Sequence, residues 1–584
     1  MINTPEYNID NFSDDEFDNT YPSKYRDFVN DVKNNHNANT NIRYLMNLLL
    51  LHQVDINAMK AKPYLIYPKI KCAYTNYKPI EVLIKEPVYD SRKANENTSF
   101  VALKGIANDG HNYIEDVINK GCKLIFCEFI PENIEPKLKE YVDNDVTLIL
   151  VKSTRILLSY LAFHYYDNHE KNIEYIGVTG TNGKTTITYL IKELLAKYPN
   201  KNVGLIGTTG IFYNDKKIEA THTTPESLEL AQIINQMGNE GVNTIVMEVS
   251  SHALVQYRVA NIPFSSAVFT NLTHDHLDYH KTMDNYAKAK KLLFDRLHKD
   301  ANAIINGNDK YADFMVKDTK AQINYVYFED EGRTKPNKHY KKNVNTYYVD
   351  NIGVSLDGLS FAIQEKPKFR NDVSIKEKFN FKSTLLGKFN IYNLALASIV
   401  ATKTDYISDE NKVFNLSEIL SEVKGAKGRM DSYKLKNGAI AVIDYAHTPD
   451  ALEKALKTLD EVRQSNVQSR LLVIFGCGGD RDKTKRPIMG KIASEIADLV
   501  ILTDDNPRTE LNTDITNEII DGIDGKLIGK IKIINDRKEA IKFTLENSKP
   551  KDIILIAGKG HEDYQIIGTE KIHLSDEEEV LRFL

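Results

Sequence analysis

The stretch that decides the fold is "IEYIGVTGTNGKTT", which runs from Ile173 to Thr186. Its apolar first half predicts a buried strand, and the residues after its glycines predict a helix. Glycines at such a corner let backbone N–H groups close around phosphate oxygens, and the helix start adds a favourable dipole. Lys184 would then reach the outer phosphates of a nucleotide, and Thr185 would bind Mg²⁺. The stretch therefore predicts an α/β fold with a nucleotide site at a strand end.

The loop in this stretch matches the strict G-x-x-x-x-G-K-[ST] pattern imperfectly. Val178 occupies the first glycine position, with Gly177 just before it and Gly180 inside the loop. A chance glycine-rich turn is the alternative interpretation, but the strand before the loop and the helix after it disfavour a chance turn. The residues predicted to hold the nucleotide are Gly180, Thr181, Asn182, Gly183, Lys184, Thr185 and Thr186.

Composition excludes several classes of protein. The 584 residues are 42% hydrophobic and 27% charged, and the net charge of −5 gives no support to a nucleic-acid partner. The four cysteines form no CxxC pair, which disfavours a zinc site or a disulfide framework. No apolar run approaches the length of a membrane span, and the acidic start is unlike a signal peptide. We therefore expect a cytoplasmic protein without stable membrane insertion.

The chain divides by pattern into an extension and three α/β segments. Residues 1–40 are rich in Asn and Asp and predict a disordered acidic extension. Strand and helix patterns alternate over 41–165 and again over 166–424, where a Lys-rich interior at about 310–380 predicts hairpins or an insertion. Over 425–584, apolar runs such as "DIILIAGKG" stop in Gly or Asp, which is typical of parallel strands with ligands at their ends.

Acidic and histidine residues follow two apolar runs of the central segment. "NTIVMEVSS" ends in Glu248 and two serines, and "TNLTHDHLDYH" follows. Together with the nucleotide loop they suggest metal and phosphate chemistry, whereas the histidine spacing fits no standard zinc site. The next helix, "NYAKAKKLLF", carries Lys288, Lys290 and Lys291, which by themselves predict only a solvated basic face.

An ordered set of motifs resembles the Mur ligase family over about residues 85–584. The motifs, in chain order, are GTNGKTT, TTPE, MEVSSH, DHLDYH, YxxAKxxLF, GKFNIYN, GRMD, DYAHTPD, GCGGDRD, DNPR and GKGHE. The resemblance implies three domains: a UDP-substrate-binding domain (41–165), a central ATP-binding domain (166–424) and a C-terminal Rossmann-like domain for an amino acid (425–584). The first 80 or so residues depart from the family pattern.

The resemblance assigns site residues by motif. It implies that Thr185, Glu248 and His276 hold Mg²⁺ and that Lys290 is a carbamylated lysine that also serves the metal, with Lys184, Glu248, His276 and Lys290 as the catalytic set. Asn393, Arg429 and Asp444 would contact the nucleotide. The residues implied to bind the other substrates are Ser91, Thr223, Thr224, Ser250, Gln256, Arg258, Arg481, Asp505, Asn506, Arg508, Gly558 and Glu562.

The implied reaction is an ATP-dependent ligation with Mg²⁺. ATP would phosphorylate the terminal glutamyl carboxylate of UDP-N-acetylmuramoyl-L-alanyl-D-glutamate, and the amine of meso-2,6-diaminopimelate would attack the acyl phosphate. This step belongs to the synthesis of peptidoglycan precursors in the cytoplasm. The resemblance also implies a monomer whose partners are its small-molecule substrates.

Alternatives remain open at this stage. The added amino acid could be L-lysine or L-ornithine, although Arg508 in "DDNPRTE" predicts a guanidinium for a second carboxylate. A helix-capping turn with a surface arginine is the plainer interpretation of that corner. A folyl-polyglutamate synthetase shares the nucleotide loop. A catalytically inactive nucleotide-binding scaffold, or a regulatory protein that uses the N-terminal extension, belongs to a different class.

Overall fold

The computed structural model describes residues 85–105, 108–144, 146–166, 168, 172–328, 343–365, 378–403, 410–464 and 469–584. The predicted extension, 1–40, and residues 41–84 of the predicted UDP domain lie outside these residues. The chain forms two compact units: one reaches to residue 170 and includes Ser227–Asn235, and the other holds Lys171–Glu226 and Gln236–Leu584. The predicted limits of the three domains stay predictions.

The first unit contains a parallel sheet of four strands in chain order. Its strands are β1 (Glu86–Val88), β2 (Thr98–Val101), β3 (Leu124–Cys127) and β4 (Thr147–Leu150), and its helices are α1 (Ile114–Asn119), α2 (Leu138–Asp143) and α3 (Thr154–Tyr165). Every residue of β2 and β3 is buried, as parallel strands covered on both faces require. The helix predicted before Gly121 is α1, and this glycine has a left-handed φ of 90°.

The second unit begins with a large mixed sheet of eleven strands, in the order β15-β14-β13-β12-β11-β10-β5-β9-β6-β7-β8. Its strands are β5 (Glu174–Thr179), β6 (Val203–Gly207), β7 (Gly210–Tyr213), β8 (Lys216–Ile218), β9 (Thr244–Glu248), β10 (Phe264–Phe269), β11 (Asn302–Asn306), β12 (Gln322–Phe328), β13 (Val344–Ser355), β14 (Gly358–Glu365) and β15 (Lys378–Ser383). The strands from β6 to β13 in this order are parallel, and the outer ones at both edges are antiparallel. The hairpins predicted at about 310–380 are therefore present as β13–β14 and β14–β15.

The helices around this sheet follow its strands along the chain. They are α4 (Lys184–Ala196), α6 (Ser251–Val255), α7 (Leu277–His280), α8 (Met283–Asp295), α9 (Ala312–Met315), α10 (Phe389–Lys403) and α11 (Glu410–Glu422). Helix α5 (Ser227–Asn239) follows β8 in the chain, but its residues up to Asn235 belong to the first unit. One core joins α4 and α10 to the sheet, with Ile187, Leu190, Leu194, Leu394 and Val400 among its buried members. Because α4 is anchored in this core, the loop that precedes it is held against the end of β5.

A second sheet in this unit has the order β16-β17-β21-β18-β19-β20, and all its pairs except β16–β17 are parallel. Its strands are β16 (Asp431–Lys434), β17 (Ile440–Asp444), β18 (Leu471–Phe475), β19 (Leu499–Leu502), β20 (Ile531–Ile533) and β21 (Ile553–Ala557), and a hairpin follows with β22 (Tyr564–Ile567) and β23 (Glu570–His573). The helices are α12 (Pro449–Gln464), α13 (Lys485–Ile496), α14 (Asn512–Ile520), α15 (Arg537–Glu546) and α16 (Asp576–Leu581). Two apolar cores cover its two faces.

The order of these strands determines which loops meet. The carboxyl ends of β17, β21, β18 and β19 lie side by side at one edge of their sheet. The loops after them carry the DYAH, GKGHE, GCGGDRD and DNPR motifs, so four motifs distant in sequence converge at one edge. Among the described residues, no helix is both long enough and apolar enough to cross a membrane.

Candidate functional site

The nucleotide loop connects β5 to α4 and is shaped by its glycines and its lysine. Gly183 has a φ of 84°, and a Cβ at this position would lie 2.9 Å from Oδ1 of Asn393. Lys184 Nζ donates hydrogen bonds to the carbonyls of Gly180 at 3.0 Å and Thr181 at 2.9 Å. Burial lowers the pKa of Lys184, and the carboxylates of Glu248 and Asp275 act in the opposite direction. The loop is thus folded around an amino group that can turn to phosphate.

Glu248 ends β9, the strand next to β5, and its carboxylate is buried. Its Oε1 accepts hydrogen bonds from Thr185 Oγ1 at 3.0 Å and from the backbone N–H of Thr208 at 2.9 Å. A hydroxyl and a carboxylate oxygen side by side are ligands of the type that Mg²⁺ prefers, so this pair fits the predicted metal. Within the described chain, His, Cys, Asp and Glu form no group of three or more that would hold a metal without further ligands.

Lys290 lies on α8 and is almost completely buried, with 1% of its surface exposed. Its Nζ donates a hydrogen bond of 2.8 Å to Gly180 O, the same carbonyl that Lys184 contacts, and lies 4.6 Å from the centre of the Tyr286 ring. Burial and then the charge of Lys184 lower the pKa of Lys290 well below its ordinary value. Lys288 and Lys291 were predicted to lie on a solvated basic face of α8. This prediction is wrong for Lys291, which is buried and ion-paired with Asp295.

Three histidines and a tyrosine surround Lys290. The rings of His252 and His276 have centres 5.1 Å apart, and His280 stacks on Tyr286 at 5.0 Å. Burial, followed by repulsion from His252 and Lys290, lowers the pKa of His280 to about 4, so this imidazole is neutral at physiological pH. His276 has a left-handed φ of 52° and a side chain that is 47% exposed. The ring of His276 is therefore accessible to a ligand, whereas the ring of the buried His280 is not.

A cavity of about 230 Å³ connects these groups to the residues predicted to bind the peptide substrate. Its lining comprises Lys184, His222, Thr223, Thr224, Ser250, Ser251, His252, Gln256, Arg258, His276, Tyr286 and Lys290. Arg258 donates to Thr224 O at 2.8 Å and to Gln256 Oε1, and it also pairs with Glu226 at 2.8 Å. The structure therefore brings five of the predicted substrate residues into one cavity with Lys184, His276 and Lys290.

Three residues outside the nucleotide loop were also predicted to contact the nucleotide, and local contacts fix the positions of their side chains. Asn393 on α10 is buried, and its amide donates to Asn390 Oδ1 at 2.9 Å. Arg429 packs 4.9 Å from the Tyr445 ring centre, and its buried Nε has no hydrogen-bond partner in the described part of the chain. Asp444 accepts hydrogen bonds from the backbone N–H groups of Met430 and Ala446, and burial raises its pKa.

The corner after β19 is rigid and contains the predicted selectivity residue. Arg508 has a left-handed φ of 51°, its backbone bonds to Ile566 and Gly568, and its Nη1 donates to Gly479 O at 2.8 Å. Asn506 is buried, and its Oδ1 accepts from the backbone N–H of Ile566 at 2.9 Å. The loop after β18 thus holds the guanidinium, and the β22–β23 hairpin holds the backbone of Arg508.

The other predicted residues of this corner flank the same space. A Cβ at Gly478 would lie 3.1 Å from Arg508 Nη1 and 3.7 Å from Cγ of the exposed Arg481. Gly558 has a φ of 113° and adjoins the Asp505 carboxylate, and burial raises the pKa of Glu562. Two guanidinium groups and two carboxylates therefore line the edge of the second sheet, which suits a ligand with charges of both signs.

Ser91 belongs to the first unit and is partly exposed. Its carbonyl accepts a hydrogen bond of 3.0 Å from Lys120 Nζ, and its neighbour Arg92 pairs with Asp90, which lowers the pKa of Asp90 to about 2.

Some residues of these sites were missed at the sequence level. His252 and Tyr286 line the cavity, and Lys559 is buried in the corner after β21. All three lie inside motifs that were identified. The available signal was the position of His252 after a strand end, but nothing in the local sequence shows that Lys559 points inward.

Comparisons with known proteins agree with this geometry. The chain matches the family models described as "Mur ligase family, catalytic domain" over residues 84–166, "Mur ligase middle domain" over 178–401 and "Mur ligase, glutamate ligase domain" over 428–560. It is 39% identical over 499 residues to UDP-N-acetylmuramoyl-L-alanyl-D-glutamate–2,6-diaminopimelate ligase 1 of Clostridium acetobutylicum, covering 85% of this chain and 94% of the relative. It is 40% identical over 505 residues to the ligase of the same name from Clostridium botulinum, covering 86% and 95%.

A solved structure of a UDP-N-acetylmuramoyl-L-alanyl-D-glutamate–2,6-diaminopimelate ligase is also similar. It shares 31% sequence identity with this chain and superimposes with a TM-score of 0.62. The match covers 87% of this chain and 97% of that one.

Proposed function

Because this chain belongs to the Mur ligase family, we propose that it joins 2,6-diaminopimelate to UDP-N-acetylmuramoyl-L-alanyl-D-glutamate through an amide bond, with ATP as the energy source and Mg²⁺ as the metal. The enzyme is a carboxylate–amine ligase of peptidoglycan precursor synthesis. The observation that carries the choice of amino acid is the corner after β19, where Arg508 Nη1 is held by Gly479 O at 2.8 Å and the carboxylates of Asp505 and Glu562 lie 3.4 and 3.9 Å from Lys559 Nζ.

The first half of the reaction takes place at the nucleotide loop. The γ-phosphoryl group of ATP is transferred to the glutamyl carboxylate, and negative charge spreads over its oxygens. Lys184, which now donates to two loop carbonyls, would turn its ammonium to these oxygens and stabilise them. Bound Mg²⁺ would neutralise phosphate charge, and we assign Thr185, Glu248, His276 and Lys290 to hold it. Asn393, Arg429 and Asp444 would orient the rest of the nucleotide.

Carbamylation of Lys290 is part of the proposal. A neutral amine attacks CO₂, whereas an ammonium cannot, and the burial that lowers the pKa of Lys290 favours the neutral amine. The product is an anionic carbamate whose oxygens suit a magnesium ion. The unmodified ammonium would instead repel the metal.

The second half of the reaction needs the amino acid. The α-amine of diaminopimelate attacks the acyl carbon, the bond from this carbon to the phosphate oxygen breaks, and an amide and inorganic phosphate are formed. Arg508 and Arg481 would bind the distal carboxylate, and Glu562 would bind the distal ammonium. Thr223, Thr224, Ser250, Gln256 and Arg258 would hold the peptide end of the other substrate, and Ser91 its uridine end. No covalent enzyme intermediate is required.

L-Lysine carries the distal ammonium but lacks the distal carboxylate, so it would leave Arg508 without its partner. We therefore propose a strong preference for the meso isomer of diaminopimelate over L-lysine or L-ornithine. We also expect the protein to be a monomer in the cytoplasm and to bind no nucleic acid. Sedimentation of the purified chain measures its oligomeric state.

Release of phosphate tests the proposed function. We expect release from ATP only when the UDP-linked dipeptide, diaminopimelate and Mg²⁺ are all present, with one amide product formed per phosphate. Release that requires a folate and glutamate instead would identify a folyl-polyglutamate synthetase, and tight ATP binding without any release would identify a nucleotide-binding scaffold. Either result would reject the proposal.

A further inference from the structure

Lys559 is a buried lysine at the edge of the second sheet to which the proposed reaction gives no role. Its side chain is 0% exposed. The Nζ atom donates hydrogen bonds to Asn506 Oδ1 at 3.1 Å and to Tyr564 O at 2.6 Å. A charge of this kind is retained in a protein interior only where neighbouring groups compensate for the lost water.

The compensating groups are two carboxylates of the amino-acid site. Lys559 Nζ lies 3.4 Å from Asp505 Oδ1 and 3.9 Å from Glu562 Oε2. These carboxylates come from different loops, one after β19 and one after β21, and both are largely buried. Burial and the charge of Asp505 make ionisation of Glu562 less favourable, and the lysine offsets both effects.

We propose that Lys559 is a positioning residue that holds Asp505 in place and keeps Glu562 ionised and aimed, so that Glu562 can pair with the distal ammonium of the amino acid. This inference rests on the proposed function and extends it. It assigns to Lys559 an effect on amino-acid binding that acts through the two carboxylates, without contact between the lysine and the substrate.

This cluster differs from an ordinary ion pair because a single ammonium, that of Lys559, lies beside two carboxylates. Other charged or titratable groups that face it are Arg537, Asp576, Tyr445, Tyr564 and Arg508. Arg537 and Asp576 are fully buried and bonded to each other, so they form a neutral pair behind the site. The two tyrosines have pKa values raised by burial and remain neutral below pH 9. Removal of Lys559 would therefore leave the two carboxylates as the groups that respond to pH.

The test uses Lys559→Met, which retains the apolar length of the side chain. Without the ammonium, burial and the charge of Asp505 would favour the protonated form of Glu562, and the bound proton would compete with the substrate for this carboxylate. We expect the KM for diaminopimelate at pH 7 to rise about tenfold or more, as for loss of one partner in a buried charge pair. We also expect this KM to fall as the pH rises from 6.5 to 8.5, whereas the wild-type KM stays flat.

The double variant Asp505→Asn/Lys559→Met separates this role from a packing role. It leaves Glu562 without the charge of Asp505 beside it. We expect its KM for diaminopimelate to be independent of pH and close to that of Asp505→Asn alone. If Lys559→Met fails to fold, the comparison of the double variant with Asp505→Asn carries the test by itself. A KM in the double variant that is tenfold or more above that of Asp505→Asn would overturn the proposal.

Lys571→Met is the matched control. Lys571 is also next to Tyr564, with its Nζ 3.8 Å from the ring centre, but it is exposed. We expect the same KM and the same pH profile as in the wild type. A wild-type enzyme that does not use diaminopimelate would reject the proposed function, whereas a diaminopimelate-adding enzyme whose Lys559→Met variant has an unchanged, flat KM would reject only this inference.

Discussion

Arg508→Ala is the substitution that bears most directly on selection of the amino acid. The side chain donates to Gly479 O at 2.8 Å and to Asn506 O at 3.4 Å from a half-buried position. Both carbonyls can bind water after truncation, so the free energy of unfolding should fall by only about 1 kcal/mol. The backbone φ of 51° is strained equally for arginine and alanine, because both carry a Cβ. The variant is therefore expected to fold.

The effect on activity should be much larger. A guanidinium that binds a carboxylate through two charge-assisted hydrogen bonds contributes about 2–4 kcal/mol, which corresponds to a roughly 30- to 1000-fold loss of kcat/KM for diaminopimelate. The KM for ATP should stay unchanged, because Arg508 contacts neither the nucleotide loop nor Arg429 and Asp444, and its side chain bonds only to Gly479 and Asn506 among the described residues. Phosphate release measured against diaminopimelate and ATP in turn gives both constants.

Arg508→Gly provides the matched control. Glycine adopts a left-handed φ without a steric penalty, so this variant should be about 0.5–1 kcal/mol more stable than Arg508→Ala while it loses the same activity. Chemical denaturation of both variants measures the difference. Retention of kcat/KM for diaminopimelate within a few-fold of the wild-type value in either variant would refute the role given to Arg508.

Four further predictions concern other parts of the chain. Lys184→Ala should fold, since the lysine acts on phosphate charge, and should lose ligation by about 1000-fold or more in the phosphate-release assay; near-normal turnover would contradict this. Lys290→Ala should be inactive and unresponsive to bicarbonate, while small carboxylic acids should restore part of its activity; full activity would return Lys290 to a structural role. Removal of residues 1–40 should leave turnover nearly unchanged because their acidic, polar composition offers little to pack, and a severe loss in a folded truncation would contradict this. Burial lowers the pKa of His561 to about 4. As the pH falls below 6.5, the unfolded chain therefore binds a proton at this residue and the folded chain does not, so the free energy of unfolding decreases between pH 6.5 and 4. The wild type should lose about 1 kcal/mol more than His561→Gln between pH 7 and 5.5 in denaturation experiments, and equal losses would contradict the prediction.

The nucleotide loop could be predicted from sequence because its chemistry is local. The strand, the glycines, Lys184 and the helix are contiguous, and each of them has a conformational preference that needs no distant partner. The predicted family and α/β fold are confirmed by the matches and by the three sheets. The hairpins near 310–380 are also present.

The remainder of the site depends on contacts between segments distant in sequence. Lys290 and Lys291 are neighbours on α8, and local periodicity predicts both only as basic residues of a helix, although the family motif distinguished Lys290; burial beside Gly180 and beside Asp295 comes from tertiary packing. Lys559 is similar, because its partners Asp505 and Asn506 precede it by more than fifty residues and meet it only through the order of β18, β19 and β21. Local periodicity in the sequence does not determine a strand order of this kind.

The most direct test of the account is a competition among amino acids. The purified chain would be supplied with UDP-N-acetylmuramoyl-L-alanyl-D-glutamate, ATP, Mg²⁺ and equal concentrations of meso-diaminopimelate, L-lysine and L-ornithine, and the nucleotide-linked products would be separated by mass. The account predicts that the diaminopimelate adduct exceeds each of the other products by about 30-fold or more, given the cost of an unpaired Arg508. Equal amounts of the lysine adduct, or no adduct at all in the presence of ATP, would contradict it.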